Sequence, residues 1–158
     1  MADAPNPIRE TDDDARALAR GLIAAARYGA LAVIEPETGL PMVTRIAVVP
    51  GPDRAPMSLI SDLSSHSAAL AANQACSLLL GEPKAKGDPL THPRITLQCR
   101  AQRADKSAWR EHYLGLYPKA QLYYDFGDFR MIQFQIDRAL LNGGFGKAFH
   151  LTADDLAP

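Results

Sequence analysis

Ser58-Leu59-Ile60-Ser61-Asp62-Leu63-Ser64-Ser65-His66-Ser67, continued by the alanine- and leucine-rich Ala68 to Ala72, decides how the rest of the chain is read. A short apolar run reads as a strand over Met57 to Ser61, and it passes straight into a helix over Ser65 to Ala72 that Asn73 stops. Hydroxyls and one imidazole gather at the junction. The first N–H groups of a helix lack intrahelical acceptors and sit at its positive end, so an anion is a natural guest there. The alternative reading is an ordinary Ser/Asp cap with nothing bound.

Upstream, Gly29 to Glu35 and Met42 to Val49 read as a hairpin around Pro36-Glu37-Thr38-Gly39. The period of two puts Met42, Thr44, Ile46 and Val48 on one face of the second strand and Val43, Arg45, Ala47 and Val49 on the other. Arg45 is thus a lone cation among apolar neighbours. It must end in water or meet an anion, because burial without a partner is prohibitive. An amphipathic helix precedes the hairpin, roughly Asp12 to Arg27, with Thr11 to Asp14 supplying the start signals and Arg16, Arg20 and Arg27 on a solvated face.

Downstream, Cys76 to Gly81 is a buried strand, Glu82 to Pro93 a long proline-bearing loop, and Arg94 to Gln102 an alternating, half-exposed strand. Asp105 caps a helix whose Trp109, Tyr113 and Leu116 face a core. Met131 to Ile136 alternates again, and Leu140 to His150 reads as a last strand interrupted by Gly143-Gly144 and Gly146. About seven strands with three helices between them, and no regular βαβ alternation, imply a mostly β (α+β) fold: a small antiparallel barrel with peripheral helices. A dinucleotide-binding sheet would need a Gly-rich turn after its first strand, and none is present.

The 158 residues suit one domain, residues 12–158, preceded by a loose arm over residues 1–11. A net charge of −1 gives no general attraction for nucleic acid or anionic lipid, so anion binding must come from local geometry. Residues 1–10 have neither a basic start nor an apolar run, which argues against a signal peptide or membrane span. Cys76 and Cys99 fit no metal-ligand spacing and read as reduced core residues of a cytoplasmic protein. The four histidines have no metal-site spacing either.

Several segments together resemble a known family. Pro41-Met42-Val43-Thr44-Arg45-Ile46-Ala47-Val48, Leu59 to His66, Asp88 to Leu97, Gly127-Asp128-Phe129-Arg130 and Gly143-Gly144-Phe145-Gly146-Lys147-Ala148 are similar, in order and spacing, to the pyridoxamine 5′-phosphate oxidase-related split-barrel proteins, nearest their haem-utilisation subgroup. The resemblance covers Asp12 to Leu151. It implies an antiparallel split β-barrel of the FMN-binding type, working as a homodimer with one FMN in each of two intersubunit clefts. It further implies that Arg45 with Ser61, Ser65, His66 and Ser67 holds the flavin phosphate. The backbone of Ile46 and Ala47 would lie along the ring system, and Arg94 would reach the flavin from the partner subunit.

Where the biosynthetic oxidases carry an Arg-Lys pair, this chain has His66-Ser67, and it ends Asp154-Asp155-Leu156-Ala157-Pro158 rather than in an arginine-rich tail. Oxidation of pyridoxamine phosphate itself is therefore disfavoured. Haem-degrading members carry a further C-terminal domain with an iron-ligating histidine, which is not expected here; His150 is a lesser candidate for that role. The resemblance thus implies an FMN-dependent oxidoreductase of unknown substrate, with a non-catalytic flavin- or haem-binding protein as the alternative. No nucleophile, acid or base can be read from the residues, which suits chemistry carried by a cofactor.

Overall fold

Within Tyr28–Ile34, Gly29, Leu31 and Val33 are buried while their neighbours are not, the period expected of a strand with one covered face. In the computed structural model, which describes residues 4–158, this strand pairs antiparallel with Pro41–Ala47 on one side and Ala75–Leu80 on the other. These are β2, β3 and β6 of a nine-stranded sheet. Its other members are β1 (Ile8–Arg9), β4 (Val49–Pro50), β5 (Pro56–Ser61), β7 (Arg94–Arg103), β8 (Phe129–Asn142) and β9 (Ala148–Thr152). Four helices accompany it: α1 (Asp13–Ala25), α2 (Ser65–Ala72), α3 (Arg110–Leu116) and α4 (Ala153–Leu156).

Hydrogen-bonded neighbours run β3-β2-β6-β7-β8. The long β8 then divides its far edge, with Phe129–Ser61 starting the pairing to β5 and Arg138–Thr152 the pairing to β9. No ladder joins β3 to β5, and the barrel is split there. A side chain crosses the gap instead: the buried Ser58 hydroxyl donates to the Ala47 carbonyl at 2.5 Å. This is the antiparallel split barrel with peripheral helices that the strand pattern implied.

Leu31, Leu78, Leu97, Phe134 and Leu141 fill the barrel, with Ile23 of α1 and Leu70 of α2 closing onto them. A fully buried side chain of this kind contributes about 1.5–3 kcal/mol through area removed from water. Tyr113, Tyr124, Met57 and Met131 form a second core under α3. Cys76 and Cys99 are free, buried and directly opposite each other on β6 and β7, and burial pushes the Cys76 thiol up to about 11.

The structure corrects the sequence reading at four places. Leu140 to His150 is not one interrupted strand: Leu140–Asn142 ends a 14-residue β8, Gly143 to Lys147 is the turn, and β9 returns. Gly144 and Gly146 supply the positive φ values (122° and 69°) that this turn demands. Asp105 caps a turn, accepting from the Ser107 and Ala108 N–H groups, and the helix itself begins at Arg110. Asp12, not Thr11, caps α1 by accepting from Ala15 N–H, while Thr11 bonds the His150 carbonyl. The N-terminal arm is tied down within residues 8–9, which pair in parallel with β9; its residues 1–3 lie outside the described residues.

Candidate functional site

Two adjacent residues of β3 point to opposite faces. Thr44 turns toward α2, where its Oγ1 lies 3.0 Å from His66 Nδ1. Arg45 turns outward and packs its guanidinium 5.8 Å from the centre of the Tyr28 ring. No carboxylate or carbonyl pairs with Arg45 among the described residues. The guanidinium lines a cavity of about 370 Å³ together with Tyr28, Glu82, His92 and Arg94.

Two glycines make this cavity possible. A Cβ on Gly29 would stand 2.9 Å from the Leu79 carbonyl oxygen, a backbone atom that cannot give way, so glycine lets β2 approach β6 this closely. Gly81, at φ 103°, turns the chain off β6 into the loop that carries Glu82 and His92. Arg94 lies at the start of β7 and donates to the Leu90 and His92 carbonyls at 3.0 and 3.4 Å, which leaves its charge without a counter-ion among the described residues. His92 Nδ1 accepts the Lys84 N–H at 2.9 Å, so in the neutral ring Nε2 carries the proton. Burial, then the nearby Glu82, raises the Tyr28 phenol above its ordinary value, and Arg45 opposes that shift.

The strand-to-helix junction forms the second half of the candidate site. Two of its four hydroxyls are spent inside the fold: Ser61 Oγ donates to Asp128 at 2.8 Å, and Ser67 Oγ donates to the Ser61 carbonyl at 2.5 Å. The Ser67 N–H donates back to the Ser64 carbonyl. Ser65 and His66 keep N–H groups with no acceptor among the described residues, and the Ser65 hydroxyl is unspent as well. Burial lowers the His66 imidazole below its ordinary value, so it sits there neutral. The Ile46 side chain is buried in the core and the Ala47 carbonyl is taken by Ser58, while the edge of β3 away from β2 has no ladder partner among the described residues.

Of the expected phosphate ligands, Ser61, Ser65, His66 and Ser67 are therefore together, while Arg45 is turned away from them and lines a cavity with Arg94, the residue expected to reach the flavin from a partner subunit. Thr44, Tyr28, Glu82 and Asp128 were missed. Asp128 falls in the Gly127 to Arg130 segment, and Thr44 is legible from the period of two as the residue facing opposite to Arg45. Tyr28 and Glu82 are brought in only by strand register and the turn at Gly81.

No family model matches the sequence. The chain is 34% identical over 100 residues to the chloroplastic non-canonical haem oxygenase HOZ of Arabidopsis thaliana, an alignment that covers 61% of this chain and 30% of the plant protein. The structure superposes on a haem binding protein from Mycobacterium smegmatis with 28% identity and a TM-score of 0.83, covering 94% of this chain and 61% of the other. A protein related to general stress protein 26 from Clostridium acetobutylicum, of the pyridoxinephosphate oxidase family, shares the fold at 13% identity and a TM-score of 0.70, over 92% of this chain and 99% of its own. The chain thus spans less than two thirds of the plant and mycobacterial relatives.

Proposed function

We propose that the chain, which shares the split-barrel fold of the pyridoxinephosphate oxidase family, binds FMN and acts as an FMN-dependent oxidoreductase on a substrate other than pyridoxamine phosphate. One observation carries the reading: Arg45 stands without a counter-ion on β3, one residue from the Thr44–His66 contact that holds the start of α2. The residues present fit a phosphate monoester. A guanidinium swung over the edge of β3 offers a charged fork, and the free N–H groups of Ser65 and His66 with the Ser65 hydroxyl offer neutral donors. Ser61 and Ser67 shape the turn rather than donate, since their protons are already committed.

A homodimer belongs to this proposal. The outward face of β2, β3 and β6 exposes Tyr28, Ile34, Val43 and Leu79, an apolar surface that a second copy would cover, bringing its Arg94 toward the flavin. Bound flavin would supply the electron transfer. The protein's own part is to hold the phosphate, exclude water and orient the ring system.

The second reading is haem binding, favoured by the haem-named relatives and by the geometry of His66. The Thr44 hydroxyl can accept from Nδ1–H or donate to Nδ1; in the tautomer that donates to Thr44, Nε2 carries the free lone pair, the arrangement a metal-ligating histidine uses. His92 lacks that option because its Nδ1 lone pair is already taken by Lys84. Absorbance spectra of the purified protein with added FMN or haem test both readings. Flavin bands that saturate at one per subunit support the first; a Soret band that is lost in His66→Ala supports the second; a colourless protein that takes up neither overturns both.

A further inference from the structure

We propose that Cys76 and Cys99 are a modification site, joined by oxidation into a reversible cross-strand disulfide at the base of the β6–β7 hairpin. Both thiols are free, and strand register sets them directly opposite each other. The Ala101 N–H donates to the Gln74 carbonyl at 2.9 Å, so Gln74–Ala101 is a hydrogen-bonded pair of the antiparallel ladder, and Cys76–Cys99, two residues along, is another. The Cα atoms of such a pair stand about 5.5 Å apart, within the span of about 4.4–6.8 Å that a disulfide bridges. Both side chains belong to the barrel core, so they leave the sheet on the same face. These are the chain's two cysteines, and an intramolecular bond has one possible pairing.

The two sulfurs are close enough to act on each other. Burial, then the Cys76 thiol, raises Cys99 above its ordinary value; Cys76 is raised by burial and opposed by the Ala101 N–H of β7, toward which its sulfur leans. The β7–β8 ladder shifts register between Gln98 and Cys99, and this bulge at Asp137 lets the strand take up the small adjustment a new bond demands. Both cysteines line a cavity of about 420 Å³ with Ala32, Ser77 and Asp137, which brings a small oxidant to the pair. Hydrogen peroxide balances the step. The Cys76 thiolate attacks one peroxide oxygen, the O–O bond breaks and water leaves, giving a sulfenic acid; the Cys99 sulfur then attacks the Cys76 sulfur, the S–S bond forms and a second water leaves. Each sulfur gives up one electron, and the two thiol protons depart in the waters. Cys76 reacts first because it is the more accessible, at 9% against 4% exposure. Burial keeps both groups protonated at neutral pH, so the bond forms slowly there and faster in alkaline solution.

Incubation of the full-length folded protein with hydrogen peroxide at about pH 9 tests this. After quenching, free thiols are counted in guanidinium, with intact mass and non-reducing denaturing electrophoresis alongside. Thiols per chain are expected to fall from two to none, the mass to drop by two hydrogens, the chain to run as a monomer, and dithiothreitol to restore both thiols. In Cys99→Ala the remaining sulfur is expected to gain oxygen, with no loss of hydrogens. Thiols that stay reduced in the folded protein while an unfolded sample treated alongside is oxidised, a mass that rises by whole oxygen atoms in the parent protein, or a disulfide-linked dimer would each overturn the site. None of these readouts involves flavin or haem, so the outcome is independent of the function proposed above.

Discussion

The hydroxyl of Thr44 lies 3.0 Å from Nδ1 of His66, joining the middle of β3 to the first turn of α2. This contact seats the helix start beside the unpaired edge of β3 and fixes which nitrogen of the imidazole faces inward. Arg45, one residue on, is turned to the opposite face and packs over Tyr28. A ligand that engages both the guanidinium and the helix start must therefore straddle the strand edge.

Arg45→Ala is expected to weaken FMN binding by about tenfold or more, because the remaining donors at the junction are neutral and the Ser61 and Ser67 hydroxyls are committed. Quenching of flavin fluorescence on titration measures it. An unchanged dissociation constant removes Arg45 from the site.

His66 makes folding stability depend on pH. Burial lowers its folded-state value below 6.5, so the unfolded chain binds the extra proton first, and this contribution to stability is present above about pH 6.5 and lost as pH falls below it. Asp125 and Asp155, held below the ordinary carboxylate value chiefly by Arg110 and Arg16, lose their contributions only in more acid solution, below about pH 4. Thermal midpoints measured between about pH 7.5 and 5.5 should therefore fall on acidification, and the slope should flatten in His66→Gln. An equal slope in the variant assigns the effect to another group.

Ser58→Ala leaves the Ala47 carbonyl without its partner across the split between β3 and β5. A buried group stranded in this way costs about 1–3 kcal/mol. Urea unfolding followed by circular dichroism is expected to show a loss of that size with an unchanged m-value. A loss well below it means that water reaches the carbonyl.

Val43→Glu places a charge on the β3 edge of the exposed face of β2, β3 and β6. If that face joins two copies, sedimentation velocity will find a dimer for the parent protein and a monomer for the variant, with flavin affinity lost in parallel. A parent protein that sediments as a monomer rejects the intersubunit cleft. A dimer that survives the substitution places the interface elsewhere.

The pattern of residues by itself determined most of the architecture. The apolar run over Gly29 to Glu35 and the alternation over Met42 to Val49 and Arg94 to Gln102 made these strands, and the small residues after Ser65 made α2, because period and local chemistry act over a few neighbours. Arg45 stood out for the same reason, as a cation on a face of apolar neighbours. Register and turn geometry lay beyond reach: the extension of β8 to Asn142 and the return at Gly143 to Lys147 depend on pairing with β7, β5 and β9, segments distant in the chain. Only the tertiary structure decided that Arg45 keeps company with Tyr28 and Arg94 while His66 answers to Thr44, since which face a side chain shares is set by which strand lies beside it.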